Sequence, residues 1–380
     1  MSIYSLSNVS PKTKKIFYRI ACYQAIYSEL FESDTITGVY PRKRSLSESY
    51  MSCEQSVHHP EELDSLPIEE AQQIDSSDED SIDEAEEISL FEKGDTIFYR
   101  IGGRISSNEV LQTISAFDTN FVNYEDLARF SRKFEFSCSA IARNVQHSSD
   151  EILIAGGRSN SLDQIGSPEV NLFLAHNRST TRLGPLYEPR MMGGAIKYND
   201  AYYICGGLSG VALRTTEVYN VSWQSHYMAP EMLYARIGFQ LVEFRNALFA
   251  FGGSTTSPLP VEFLDSRTRS WLSVSNSTSP YKMGHSTAKI IGNEVYVSGA
   301  SRLHCFDLVA NRWRRCRSPR LRTYAHSSLI YENKFYKIGG FNRLDFPARY
   351  AVYDHSLNQW EPVKNMNHGF CSSSTFVGTY

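Results

Sequence analysis

The sequence predicts an all-β domain assembled from six copies of one unit, carried behind a helical segment and an acidic one. Two recurring phrases predict it. Glycine doublets stand at Gly102-Gly103, Gly156-Gly157, Gly206-Gly207, Gly252-Gly253 and Gly339-Gly340, with a degenerate copy at Gly299-Ala300. The steps between them are 54, 50, 46, 47 and 40 residues, the kind of period that marks a repeat architecture. Each doublet follows a short apolar run, such as 247–251 or 334–338. The second phrase is an aromatic residue or Leu, then Asp, then five residues, then Trp or Tyr. It occurs as Phe117-Asp118 with Tyr124, Leu264-Asp265 with Trp271, Phe306-Asp307 with Trp313, and Tyr353-Asp354 with Trp360. In the third unit Tyr219-Asn220 followed by Trp223 reads as a shortened hairpin. In the second, Phe173 alone is recognisable.

In chain order, residues 1–43 form a basic segment with one amphipathic helix. Ser10 suits its cap and Pro11 its first turn, and Ile16, Ile20, Tyr23, Tyr27 and Leu30 make one apolar stripe. Residues 44–93 read as an acidic, Ser-rich disordered linker with little to form a core. Thirteen Asp and Glu fall in 61–90 without a Lys or Arg, so the remaining 29 acids face 38 bases. The body is therefore basic, although the whole chain carries a formal −4. Residues 94–380 hold the repeats. Seven scattered cysteines with no Cys-x-x-Cys argue against a disulfide framework or a structural zinc site. No apolar run of secretory or membrane-spanning kind appears, so no membrane partner is expected. The cytoplasm is the expected location, with the nucleus as an alternative.

With doublet, aromatic and tryptophan at this period, residues 94–380 resemble a kelch-repeat β-propeller, nearest in style to the propeller of BTB–kelch ubiquitin ligase adaptors. No BTB or BACK segment is recognisable in 1–93. The resemblance implies four-stranded blades with strand A innermost and D outermost. Glycine, lacking a Cβ, would end strand B where a neighbour must approach the backbone. The tryptophan would pack adjacent blades together. Strand-A phrases precede the later doublets, as in 323–330, but none precedes the first. A matching phrase at 368–377 has no doublet after it. The expected fold is thus a six-bladed propeller whose C-terminal strand completes the first blade.

Chemistry is not expected. His226, His285, His304, His326, His355 and His368 are spread over separate units, and the repeated placement of His285, His326 and His368 early in strand-A phrases reads as structural. No catalytic residue, metal ligand or cofactor is predicted, nor any nucleic-acid signature. The basic residues suggest binding instead. The resemblance places the loops after strand B and those leading into strand A on one face. Arg104, Arg158, Arg302 and Arg343 fall in the first set. Arg190, Arg236, Lys282 and Arg322 fall in the second, with Tyr234 and Tyr324 among them. Arginine forks grip carboxylates, and Arg and Tyr are common in binding hot spots. The expectation is a non-enzymatic protein-interaction module whose arginine-lined face binds an acidic or phosphorylated peptide or protein. The acidic stretch 61–92 is a candidate intramolecular competitor for that face. The alternatives are a substrate-recognition subunit of a ubiquitin ligase, an actin or cytoskeletal scaffold, and a kelch-type enzyme.

Overall fold

A computed structural model describes residues 89–380 except 145–146, 161–162, 164, 254–256 and 343–344. The helix predicted in 1–43 and nearly all of the acidic linker lie outside these residues. Ser89–Glu92, counted above with the linker, lie against blade 1. Ser89 Oγ and Leu90 N–H donate to Glu125 (3.1 and 3.0 Å), and Phe91 meets the Tyr380 ring at 5.4 Å.

The repeats form a six-bladed β-propeller of four-stranded antiparallel blades, the sixth with a short fifth strand, Lys364–Asn365, paired to Arg349–Asp354. Blade 2 runs Cys138–Asn144, Ser149–Ala155, Val170–Leu174 and Ser179–Arg182; blade 3 runs Gly194–Tyr198, Ala201–Cys205, Thr216–Asn220 and Ser225–Ala229. Blade 4 is Phe239–Phe244, Ala247–Gly252, Glu262–Asp265 and Ser270–Ser273. Blade 5 is Thr287–Ile291, Glu294–Ser298, Leu303–Asp307 and Arg312–Arg315. Blade 6 is Ser327–Tyr331, Lys334–Ile338, Arg349–Asp354 and Gln359–Trp360. The first strand of each is innermost and touches the inner strands on either side.

Blade 1 borrows its inner strand from the far end of the chain, as expected. Ser374–Thr379 pairs antiparallel with Thr96–Ile101, from Thr96 opposite Thr379 to Ile101 opposite Ser374. Thr113–Phe117 and Tyr124–Arg129 complete the sheet. The pairing closes the ring, and the unpaired edges of the short inner strands face the central channel.

The apolar core is divided among the blade boundaries. One buried cluster fills each, such as Tyr198, Phe239, Leu241 and Trp271 between blades 3 and 4, or Phe98, Phe117, Tyr336 and Tyr350 between blades 6 and 1. The tryptophans do what their recurrence implies. Trp271, Trp313 and Trp360 lie on outer strands and donate Nε1–H to Pro230, Ser277 and Arg317 carbonyls at 3.1, 2.8 and 2.7 Å. Those carbonyls belong to the connection arriving from the preceding blade, so each indole fastens an outer edge to its lead-in. The Asp of the motif holds the turn that follows it: Asp307 Oδ1 accepts from Val309 and Ala310 N–H at 2.9 and 2.8 Å.

Blade 3 departs from the sequence reading. Trp223 is 81% exposed and packs no blade. The hairpin is not shortened, because His226 stands opposite Tyr219 where Trp271 stands opposite Leu264. The imidazole stacks between Tyr187 and Tyr219 (4.1 and 3.9 Å between centroids) and meets Glu217 at 2.9 Å.

The glycine doublets answer a steric demand. Gly206 has φ +57°, and a Cβ there would lie 2.9 Å from the Arg236 carbonyl oxygen of the next blade. The second N–H of each doublet donates across the boundary, Gly157 to Arg190 O, Gly207 to Arg236 O and Gly340 to Phe370 O, each at 2.8 Å. At Gly299-Ala300 the backbone does not enter the left-handed region. The two carbonyls turn instead to the buried Lys337 ammonium of blade 6, 2.8 Å from each.

Candidate functional site

The loops after the doublets and the segments leading into the inner strands share one side of the ring, the doublet face. At its centre the chain makes a collar. Phe136, Met192, Gly238, His285, Ala325 and Ser372, one per blade, all lie in the left-handed region, with φ of 46–63°. A non-glycine residue there costs roughly 1 kcal/mol, which hydrogen bonds between blades offset. Phe136 N–H donates to Ser372 O, Met192 to Phe136 O, Gly238 to Met192 O and Ser372 to Ala325 O, at 2.7–2.9 Å. Phe136, Met191, Met192, Phe341 and Cys371 turn inward at this level and form an apolar plug over the channel mouth.

The structure moves four of the expected binding arginines from the rim into the interior. Arg104, Arg158, Arg190 and Arg236 are at most 3% exposed. Arg236 bonds Glu262 through Nε at 2.6 Å and the Gly252 and Pro260 carbonyls through its two Nη atoms, also at 2.6 Å. Arg190 repeats the arrangement one blade earlier, with Glu217 and the Gly206 carbonyl. Each reaches from the lead-in of its blade to a glutamate on the third strand, so its fork closes inside one sheet. Burial pulls the Arg236 pKa below its usual value, and the Glu262 carboxylate opposes that shift. Arg104 and Arg158 converge on one carboxylate. Glu135 accepts from Arg104 Nε and Nη2 at 2.8 and 2.9 Å and from Arg158 Nε at 2.9 Å, linking blades 1 and 2. The four guanidiniums thus share three buried carboxylates inside the fold and are not exposed on the rim.

Lys282, Arg302 and Arg322 are exposed as expected. They lie on the doublet face of blades 5 and 6, in the lead-in to Thr287–Ile291, the loop after Gly299, and the lead-in to Ser327–Tyr331. The Arg302 guanidinium sits 4.9 Å over the Tyr281 ring. The local field is positive. Burial first, then Arg302 and Arg315, push His304 down to about 4. Tyr234 is exposed near blade 4, and Tyr324 is half-buried with its ring 5.9 Å from Phe341. Arg343 lies outside the described residues. The rim that survives is thus a short cationic arc on two adjacent blades.

The histidines do not share a position. His285 belongs to the collar and is pushed down to about 4 by burial and by Arg158. His326 is buried and bonds Thr323 O and Ser298 Oγ at 3.2 and 3.1 Å, and its pKa lies well below the usual value through burial. His368 packs edge-on against Tyr124 at 4.7 Å. Among the described residues, no three His, Cys, Asp or Glu side chains converge as a metal would require.

Sequence reasoning missed the channel beneath the collar. The inner strands line it with Ser139, Thr287, Ser328 and Thr375, and Lys289 reaches into it. The signal was present in the strand-A phrases, where Ser and Thr recur at 137–139, 286–287, 327–328 and 372–375. Those phrases read as strand markers, not as the wall of a polar cavity.

No protein-family model matches the chain, and no curated protein sequence matches it.

Proposed function

We propose that this chain is a non-enzymatic protein-interaction module of kelch type that binds an acidic or phosphorylated peptide on the doublet face of blades 5 and 6. One observation carries the reading: Lys282, Arg302 and Arg322 stand exposed on neighbouring loops, while the arginines around them are closed off by glutamates. Three exposed cations, one of them over the Tyr281 ring, favour a ligand with several carboxylates or a phosphate, gripped by charge-assisted hydrogen bonds. Loops on a rigid scaffold are where such binding is commonly built.

The test is fluorescence polarisation with an array of acidic and phosphoserine peptides, using intact protein and the variant Lys282→Glu, Arg302→Glu, Arg322→Glu. Removing three favourable contacts of roughly 1 kcal/mol each weakens binding by about two orders of magnitude. The control, Arg267→Glu, changes an exposed side chain in the turn after Asp265, on the opposite side of the ring. It leaves affinity unchanged. Equal loss in the control, or none in the triple variant, rejects the arc as the site.

A further inference from the structure

The central channel carries chemistry that the doublet face does not use. Its enclosed part is a cavity of about 40 Å³ walled by all six blades. Lys289 is the one charged side chain among the described residues lining it. Its ammonium lies 5.6 Å from the Phe376 ring on the strand that closes the ring. Burial alone pushes its pKa down to about 8, so no carboxylate stands close enough to hold the charge. Ser328 adds a separate sign. The residue is 3% exposed, and its Oγ finds no hydrogen-bond partner. A buried hydroxyl left unmet and an ammonium without a counter-charge are both costly, and one acceptor of negative charge relieves both.

The surrounding strands supply no hidden anion. On the inner strand of blade 4 the acid is Glu243, exposed near its far end. Blade 6 contributes Tyr331, and the blade 1 strand has no ionisable side chain. Arg143 of blade 2 pairs with Asp150, and Lys197 of blade 3 with Glu151. In the second strand of blade 5, Glu294 is bound by Arg314. His326, which meets Thr287 Oγ1 at 3.3 Å, is held neutral by burial.

We propose that the channel is a binding site for a small inorganic oxyanion, of sulfate or phosphate size, held by the Lys289 ammonium and the channel hydroxyls led by Ser328. The cavity holds a few water volumes, which suits a compact tetrahedral ion and excludes a nucleotide. The site lies below the apolar plug and is independent of the cationic arc.

Isothermal titration of the full chain with sodium sulfate in chloride buffer tests this, since sulfate does not itself titrate in the range used. Saturable binding is expected at pH 7, at least tenfold weaker in Lys289→Met, weakened in Ser328→Ala, and unchanged in Lys282→Glu. In the intact protein, raising the pH to 10 removes the Lys289 proton and weakens binding about 100-fold. That comparison stands even where Lys289→Met does not fold. Absence of saturable binding up to about 10 mM, an undiminished affinity in Lys289→Met, or an affinity indifferent to pH overturns the proposal. Loss in Lys282→Glu alone moves the anion to the doublet face and also overturns it.

Discussion

Glu135 offers the sharpest test of the interior electrostatics. It is 1% exposed and accepts three hydrogen bonds from two guanidiniums at 2.8–2.9 Å. Glu135→Gln keeps the shape and one acceptor oxygen but removes the negative charge that Arg104 and Arg158 share. Breaking a buried pair by removing one partner costs roughly 3–5 kcal/mol, and the retained amide oxygen places this change near the lower figure. At roughly 2–4 °C per kcal/mol for a domain of this size, the melting temperature falls by about 6–12 °C. Urea unfolding followed by tryptophan emission reads the change, because Trp271, Trp313 and Trp360 are tied into blades 4–6. The triple change Arg104→Met, Glu135→Met, Arg158→Met should recover most of the loss, since an apolar replacement of the whole cluster leaves no unbalanced charge. A single variant within about 1 kcal/mol of the parent, or a triple variant no better than the single one, refutes the reasoning.

Three further outcomes follow from the same geometry. Gly206→Ala and Gly210→Ala both put a side chain at positive φ, but a Cβ at Gly210 meets nothing within 4 Å whereas one at Gly206 meets the Arg236 carbonyl and the Phe239 ring at 2.9 Å. The first should therefore cost about 2 kcal/mol more than the second in urea unfolding; equal costs would show that the blades yield. Removing residues 369–380 takes away the inner strand of blade 1, and calorimetry should then show no cooperative transition. An unchanged melt would mean that the closing strand is dispensable. Lys289 gives a dependence on pH. Its folded pKa of about 8 lies below the usual 10.5, so between those values the unfolded chain binds more protons and stability rises with pH. Buried thiols and phenols, whose pKa values burial raises, work in the opposite direction, so the Lys289 share is read as a difference: between pH 7.5 and 10 in chloride buffer the stability of the parent should rise relative to that of Lys289→Met.

The architecture was legible because its determinants are local and repeated. A doublet that must pass under the next blade's carbonyl can be little but glycine, and an indole that must reach a carbonyl in the lead-in recurs at a fixed offset. Closure was legible for the same reason: a strand phrase without a doublet at one end matches a doublet without a phrase at the other. The arginines were misplaced because their partners sit on another strand. Arg190 and Glu217 are 27 residues apart, and Arg236 and Glu262 are 26. That near-equal offset in consecutive units was a readable sign of pairing within a blade, but the acids were sought beside the arginines and not across the sheet. Trp223 misled because a tryptophan near the right place outweighed a histidine at the right one. The channel was hidden because the serine- and threonine-bearing strands of blades 1, 2, 5 and 6 become one wall only when the ring closes.

That closure also governs where the polypeptide can be cut. Gly94 N–H donates to the Tyr380 carbonyl at 2.9 Å, so the domain's first and last residues are already joined by a hydrogen bond. A short covalent splice there, with a new opening made in the exposed turn at 199–200 or 332–333, would leave every sheet and every boundary cluster in place. The seam in blade 1 is a matter of gene order, and the wheel itself has no privileged starting point.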